Sequence, residues 1–162
     1  MLNILVLCTG NSARSILLEH ILTQGSDGRI KAYSAGSHPS GQVHPQSLKL
    51  LGQKGYDTSG ARSKSWDEFG LETAPKMDAV ITVCGSAKGE TCPIWPGAPL
   101  RAHWGVEDPA AAAQADWEDA FTTAFKALKM RADAFLSLPF EQMDRPQLQA
   151  ALHKIESDFN DA

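Results

Sequence analysis

Cysteine is scarce in this sequence: Cys8, Cys84 and Cys92 are three thiols in 162 residues, an odd number without secretory context. That argues against a structural disulfide framework and for free thiols in a reducing compartment. Positive charge is short as well. Fifteen Lys and Arg stand against 19 Asp and Glu, for a net charge of -4 and a pI of about 5.7. No overall field gathers nucleic acid or anionic lipid, so any anion site has to be built locally. No apolar run approaches the ~20 residues that cross a bilayer, and Met1–Leu7 has no basic lead-in or cleavage pattern. The expectation is a cytoplasmic protein with no membrane partner and no nucleic-acid partner. The five histidines lack the Cys/His spacing of a zinc site. Repeats are absent too, and low complexity is confined to the alanines at 110–113.

The segments that remain alternate between two periodicities. The run LNILVL (2–7) is continuously apolar, as in a strand buried on both faces, and ILLEHIL (16–22) follows at helical spacing. IKAYSAG (30–36) reads as a second strand. PQSLKLLGQKG (45–55) reads as a helix with Pro45 near its start and Gly55 past its end. WDEFG (66–70) is a short helical turn capped by Ser65. MDAVITVC (77–84) is a third strand, rich in β-branched residues, and PLRAHW (99–104) a weaker fourth. Between them CPIWPGAP (92–99) is a stiff loop. A long helix runs from about Ala115 to Ser137, its stripe carried by Trp117, Phe121, Phe125, Leu128 and Phe135, and Pro139 stops it. A last weak helix starts near Pro146, with Leu148, Leu152 and Ile155 on one face.

Such alternation predicts an α/β fold: a three-layer sandwich with a central four-stranded parallel sheet. Residues 1–140 form the α/β domain, and 141–162 a helical extension packed on it. Ligands of parallel sheets bind at the carboxyl ends of the strands. There the first strand delivers Cys8, and the third is expected to deliver Cys84.

The stretch LCTGNSARS (7–15) joins that strand end to a helix start. Backbone N–H groups and the positive end of the helix make such a turn a cradle for a tetrahedral oxyanion. Arg14 grips two oxygens with its planar fork. Gly10 and Asn11 tolerate left-handed backbone, and Thr9, Ser12 and Ala13 are small enough to leave room. The same donors stabilise a thiolate at Cys8, and the Ser15 hydroxyl is placed to tune it. A bare Cys-x5-Arg spacing occurs often by chance; the preceding strand, the following helix and the Gly-Asn within the loop make it functional.

CTGNSARS resembles the phosphate-binding loop of the low-molecular-weight phosphotyrosine phosphatase fold, and in particular that of the arsenate reductases built on it. SAGSHP (34–39), RSKSWDEF (62–69), ITVC (81–84), CPIWPG (92–97) and HWGVEDPA (103–110) agree with it in order. The resemblance implies that Cys8 is the nucleophile and Arg14 and the amides of 9–14 the oxyanion holders. It implies that Asp108, in Asp-Pro, is the general acid; alone, that pair would read as a turn. It also makes the first and third strands neighbours, so that Cys84 attacks the sulfur of an arsenylated Cys8. Cys92 then takes over the disulfide, and an external thiol reductant, thioredoxin or glutaredoxin with glutathione, restores the thiols. No cofactor is tightly bound. The plainer alternative for Cys84 and Cys92 is one buried and one loop thiol without a catalytic part.

Four departures bear on these expectations. The gap between the two later cysteines is one residue longer than in the thioredoxin-coupled pattern, and Gly85 replaces a polar residue. Ala13 stands where many relatives have a second loop cysteine. Ala110 stands where phosphatases carry a tyrosine, which weakens phosphotyrosine as substrate. A phosphatase using only Cys8, Arg14 and Asp108, or a binding module that turns nothing over, are the competing functions. Some relatives hold a potassium ion beside the loop; Asn11, Glu19, Ser34 and Asp67 fall on the matching positions, although Glu19 and Asp67 also read as solvated charges. Trp117 reads as core. Trp95 and Trp104, in loops near the mouth, either line it or pack beneath it.

Overall fold

A computed structural model of the chain describes residues 1–83 and 99–160. The apolar run forms strand β1 (Leu2–Cys8), followed by helix α1 (Arg14–Gly25), strand β2 (Ile30–Gly36) and helix α2 (Pro45–Gln53). Strands β3 (Ala79–Thr82) and β4 (Leu100–His103) precede helices α3 (Trp117–Leu136) and α4 (Arg145–Asn160). Short 3-10 turns lie at Trp66–Phe69, Pro109–Ala111, Gln114–Asp116 and Phe140–Gln142. The sheet is parallel with order β2-β1-β3-β4, so β1 is central and its neighbours are β2 and β3.

Period-two alternation sorts β1 between two cores. Ile4, Val6 and Cys8 join the large cluster built with α1, α3 and α4, from Ile16 and Leu17 to Phe121, Leu128 and Phe135. Leu5 and Leu7 face the other side, where Ala35, Phe69, Met77 and Val80 cover them. The sheet is thus the middle layer. Burial on both faces explains why its central strand reads as an unbroken apolar run.

Sequence boundaries shift where tertiary contacts decide. β3 ends at Thr82, short of the expected Cys84; Val83 still donates its N–H to the Leu7 carbonyl at 2.9 Å. Cys84, Cys92, Trp95 and all of the expected loop at 92–99 except Pro99 lie outside the described residues. Trp104 is fully buried core, its indole N–H donating to the Leu152 carbonyl at 3.3 Å, so it does not line a mouth. Trp117 is only half-buried. Its indole N–H donates to the Ala112 carbonyl, and its ring meets His44 edge-on.

α4 lies against the edge strand. Gln149 accepts the Arg101 N–H through Oε1 at 3.3 Å and donates to the Arg101 carbonyl at 2.8 Å, as a neighbouring strand would. Glu156 accepts the His103 N–H at 2.6 Å. These bonds occupy a strand edge that would otherwise offer itself to another chain. Among the described residues no helix is long and apolar enough to cross a membrane.

Candidate active site

Cys8 ends β1 and Arg14 begins α1, so the five residues between them must reverse the chain in a small space. Asn11 does so with φ of 46°, a left-handed conformation that asparagine tolerates better than most residues. The loop's carbonyls are pulled outward. That of Thr9 accepts from His38 N, that of Gly10 from Ser40 N, and that of Ser12 from His44 N, each at 3.0 Å. The hydroxyls of Ser63 and Ser47 add bonds to Gly10 and Ser12 at 3.2 and 2.9 Å. Because a trans peptide points its N–H opposite to its C=O, the amides of Gly10, Asn11 and Ala13 turn inward. The Asn11 amide reaches the Cys8 sulfur at 3.2 Å.

A buried relay stands behind that sulfur. The Lys64 main-chain N–H donates to Asn11 Oδ1 at 2.9 Å, which orients the amide so that Nδ2 donates to Ser15 Oγ at 2.8 Å. Ser15 Oγ lies 2.9 Å from Cys8 Sγ. A thiolate carries no proton, so in that state the hydroxyl is the donor and the three bonds polarise one another toward the sulfur. Asn11 and Ser15 are fully buried and Cys8 nearly so. Among the described residues Cys8 is a free cysteine. Gly36 closes the pocket floor from β2: a Cβ there would run into the Thr9 carbonyl and crowd Asn11.

Arg14 spans the mouth. Its Nη1 donates to the Val106 carbonyl at 2.9 Å, and its Nη2 stands 3.6 Å from Asp108 Oδ2. With the Asp108 side chain 42% exposed, this pair contributes at most about 1 kcal/mol to stability. Its consequence is positional. Asp108 Oδ1 accepts the Ala110 N–H at 3.0 Å, capping the Pro109–Ala111 turn and leaving Oδ2 on the cradle side. His44 borders the same space: its main chain holds Ser12, its ring packs against Trp117 and Phe121, and Nδ1 accepts the Gln46 N–H at 3.0 Å. Burial lowers its pKa from the ordinary 6.5, with the nearby Asp108 charge opposing.

The residues expected to hold potassium are partly assembled. Ser34 donates its hydroxyl to Glu19 Oε2 at 3.0 Å, and Asn11 lies behind the same wall through its bond to Lys64. A cation already stands there. The buried Lys64 ammonium is 3.5 Å from Ser34 Oγ and 3.1 Å from the Arg62 carbonyl; burial pulls its pKa down, while Glu19 pulls it back up. Asp67, on the following turn, enters none of these bonds. Among the described residues no cluster of three or more His, Cys, Asp or Glu side chains is arranged to hold a metal ion.

Sequence reasoning assembled Cys8, Arg14, Ser15 and the loop residues, and the fold brings Asp108 to them across 94 residues. It passed over Lys64, Gly36 and His44. Only the small residue in SAGSHP and the lysine inside RSKSWDEF hinted at two of these.

The model of the low molecular weight phosphotyrosine protein phosphatase family matches residues 3–151. An arsenate reductase of Halalkalibacterium halodurans is 38% identical over 112 residues, 69% of this chain and 77% of its own. A solved structure of an arsenate reductase in its phosphate-binding state superposes with a TM-score of 0.68 at 26% identity, covering 85% of this chain and 98% of that one. A thioredoxin-dependent arsenate reductase of Corynebacterium glutamicum shares the fold, with a TM-score of 0.64 at 22% identity over 88% of this chain and 64% of its own.

Proposed function

The chain belongs to the low molecular weight phosphotyrosine protein phosphatase family, and from that premise we propose that it reduces arsenate to arsenite with its own cysteines. One observation carries the chemistry: a buried sulfur faced by a loop amide and a serine hydroxyl, inside a loop whose Thr9, Gly10 and Ser12 carbonyls are tied elsewhere. Such a pocket stabilises negative charge on sulfur and on an incoming oxyanion alike. Relatives named arsenate reductases, and the three thiols of the sequence, favour arsenate over a phosphate ester. So does Ala110, which leaves the Asp-Pro corner without a ring to sandwich an aryl group.

Cys8 attacks arsenic while Arg14 and the amides of residues 9–14 hold the oxygens. A sulfur–arsenic bond forms, and one oxygen leaves as water with a proton from Asp108. Cys84 then attacks the Cys8 sulfur. The new disulfide forms as the sulfur–arsenic bond breaks, its electron pair stays on arsenic, and As(V) departs as As(III). Cys92 attacks Cys84 in turn, which frees Cys8 and leaves a Cys84–Cys92 disulfide for an external dithiol to reduce. No cofactor is needed, because the electrons come from thiols. A reducing cytoplasm is the setting this chemistry requires. Thioredoxin is the proposed reductant, supported by the thioredoxin-dependent protein that shares the fold; glutathione with glutaredoxin is the other donor to test.

Supplying arsenate with each reducing system and following NADPH loss identifies the donor. Cys84→Ser is expected to abolish arsenite production while sparing aryl phosphate hydrolysis. Unchanged arsenite production would remove Cys84 from the relay, and hydrolysis with no reduction by the unaltered chain would make the protein a phosphatase.

A further inference from the structure

The proton donor rides on a loop whose root is fastened to the far end of the chain. Residues 105–112 leave the end of β4, and three successive positions at that exit are bound to the helices behind it. The His103 N–H goes to Glu156, the Trp104 indole to the Leu152 carbonyl, and the Gly105 carbonyl receives Arg131 Nη2 at 3.2 Å. The same Nη2 donates to the Phe159 carbonyl at 3.0 Å, and the guanidinium lies 5.8 Å from the Phe159 ring centroid. Nη1 is occupied by the Ala127 carbonyl at 2.8 Å, one turn earlier in α3. Arg131 is therefore a buried three-way junction between α3, the last turn of α4 and the first residue of the acid-bearing loop. Asp108 follows only a few bonds along the chain from Gly105, so a displaced Gly105 moves the carboxyl. The match to the family model ends at residue 151, one residue before Leu152.

We infer that α4 is a positioning element for the reaction: through Arg131 and Trp104 it sets the root of the 105–112 loop and so the place from which Asp108 delivers its proton. This rests on the reading of Asp108 as general acid. Arginine suits the junction because its planar fork serves several carbonyls at fixed angles, which a lysine ammonium does not. Misplacement of a catalytic group by an ångström is enough to cost one to two powers of ten in rate.

Two variants of the 162-residue chain test this: Arg131→Lys, and a chain ending at residue 157, which removes the Phe159 carbonyl but keeps Leu148, Leu152 and Ile155. Each is expected to lower kcat for arsenate about tenfold with KM unchanged. Protection of Cys8 from alkylation by inorganic phosphate should be unaltered. In an Asp108→Asn background the same changes should cost nothing further, because the group being positioned is gone. An equal loss in that background, or no loss in either variant, overturns the inference. Should the unaltered chain turn over neither arsenate nor aryl phosphate, the functional reading fails on its own, and amide exchange still decides the positioning. Faster exchange at 105–112 with unchanged exchange at 9–15 upholds it; unchanged exchange at both overturns it.

Discussion

The loop of Cys8, the proposed nucleophile, and the loop of Asp108, the proposed acid, face each other across Arg14, and they are held in opposite ways. None of residues 8–15 is exposed, Cys8, Asn11, Ala13 and Ser15 are buried, and the Thr9, Gly10 and Ser12 carbonyls and both ends of the Asn11 side chain have partners within the protein. Residues 105–112 run along the surface. They hang from a few bonds at their root and from Arg14, and the Asp108 side chain is 42% exposed. A cradle for a tetrahedral anion must exist before the anion arrives, or its binding energy is spent on ordering the loop. A proton donor has to reach an oxygen that is leaving and then be reprotonated from water, which a sealed carboxyl does slowly. The difference in construction follows the difference in task.

If the acid loop supplies chemistry and little stability, Asp108→Asn should separate the two. Asparagine still offers an oxygen to the Ala110 N–H, so the turn persists. A loss of about 10²–10³-fold in kcat is expected, with the unfolding midpoint unmoved. Measuring turnover and urea unfolding on the same preparation checks both halves. A stability loss as large as the rate loss would erase the contrast between the loops.

The reverse experiment belongs to the cradle. Gly36→Ala places a methyl group against the Thr9 carbonyl, which the bonds around the loop prevent from yielding. We expect a cost of roughly 1–3 kcal/mol in stability, together with weaker phosphate protection of Cys8. Gly60→Ala, where nothing stands within 4 Å of the added atom, is the control. A Gly36→Ala protein as stable as the parent would mean that the cradle gives way more readily than its bonds imply.

How far each region could be read from the sequence follows the same division. The cradle was legible because its causes are local: an apolar strand, a Gly-Asn turn, small residues and an arginine at a helix start all lie within LCTGNSARS. The braces were not. His38, Ser40 and His44 hold the loop with main-chain N–H groups, which almost any residue supplies, so no residue type announces them. Lys64 has the composition of a surface residue and becomes a buried cation only because β2 and α1 close over it. Trp104, which the sequence leaves either lining the mouth or packing beneath it, packs, because α4 folds across β4. Arg131 sits on the stripe side of a helix where a charge reads as solvated, and its three carbonyls come from segments that pattern reading treats separately.

His44 is where the two regions meet, and it gives the smallest and most discriminating effect. Its main chain braces Ser12, while its ring caps α2 as an unprotonated acceptor and feels the Asp108 charge. Burial holds its pKa below the ordinary 6.5, so the unfolded chain takes up this proton first as pH falls. Between the two pKa values the unfolded state binds more protons, and stability therefore rises with pH there. Its contribution is complete above about 6.5 and drains away as the solution is acidified below that value. His44→Asn keeps a capping oxygen for the Gln46 N–H and removes the titration. Its unfolding free energy should fall less steeply than the parent's as pH drops from 7, and the difference should persist in an Asp108→Asn background, because desolvation outweighs the carboxylate. If the two slopes coincide, His44 titrates alike in folded and unfolded chains, and the brace on the cradle does not depend on its ring. If the difference instead grows severalfold when Asp108 is neutralised, the carboxylate had been offsetting most of the desolvation, and the two regions are coupled electrostatically more than they are by bonds.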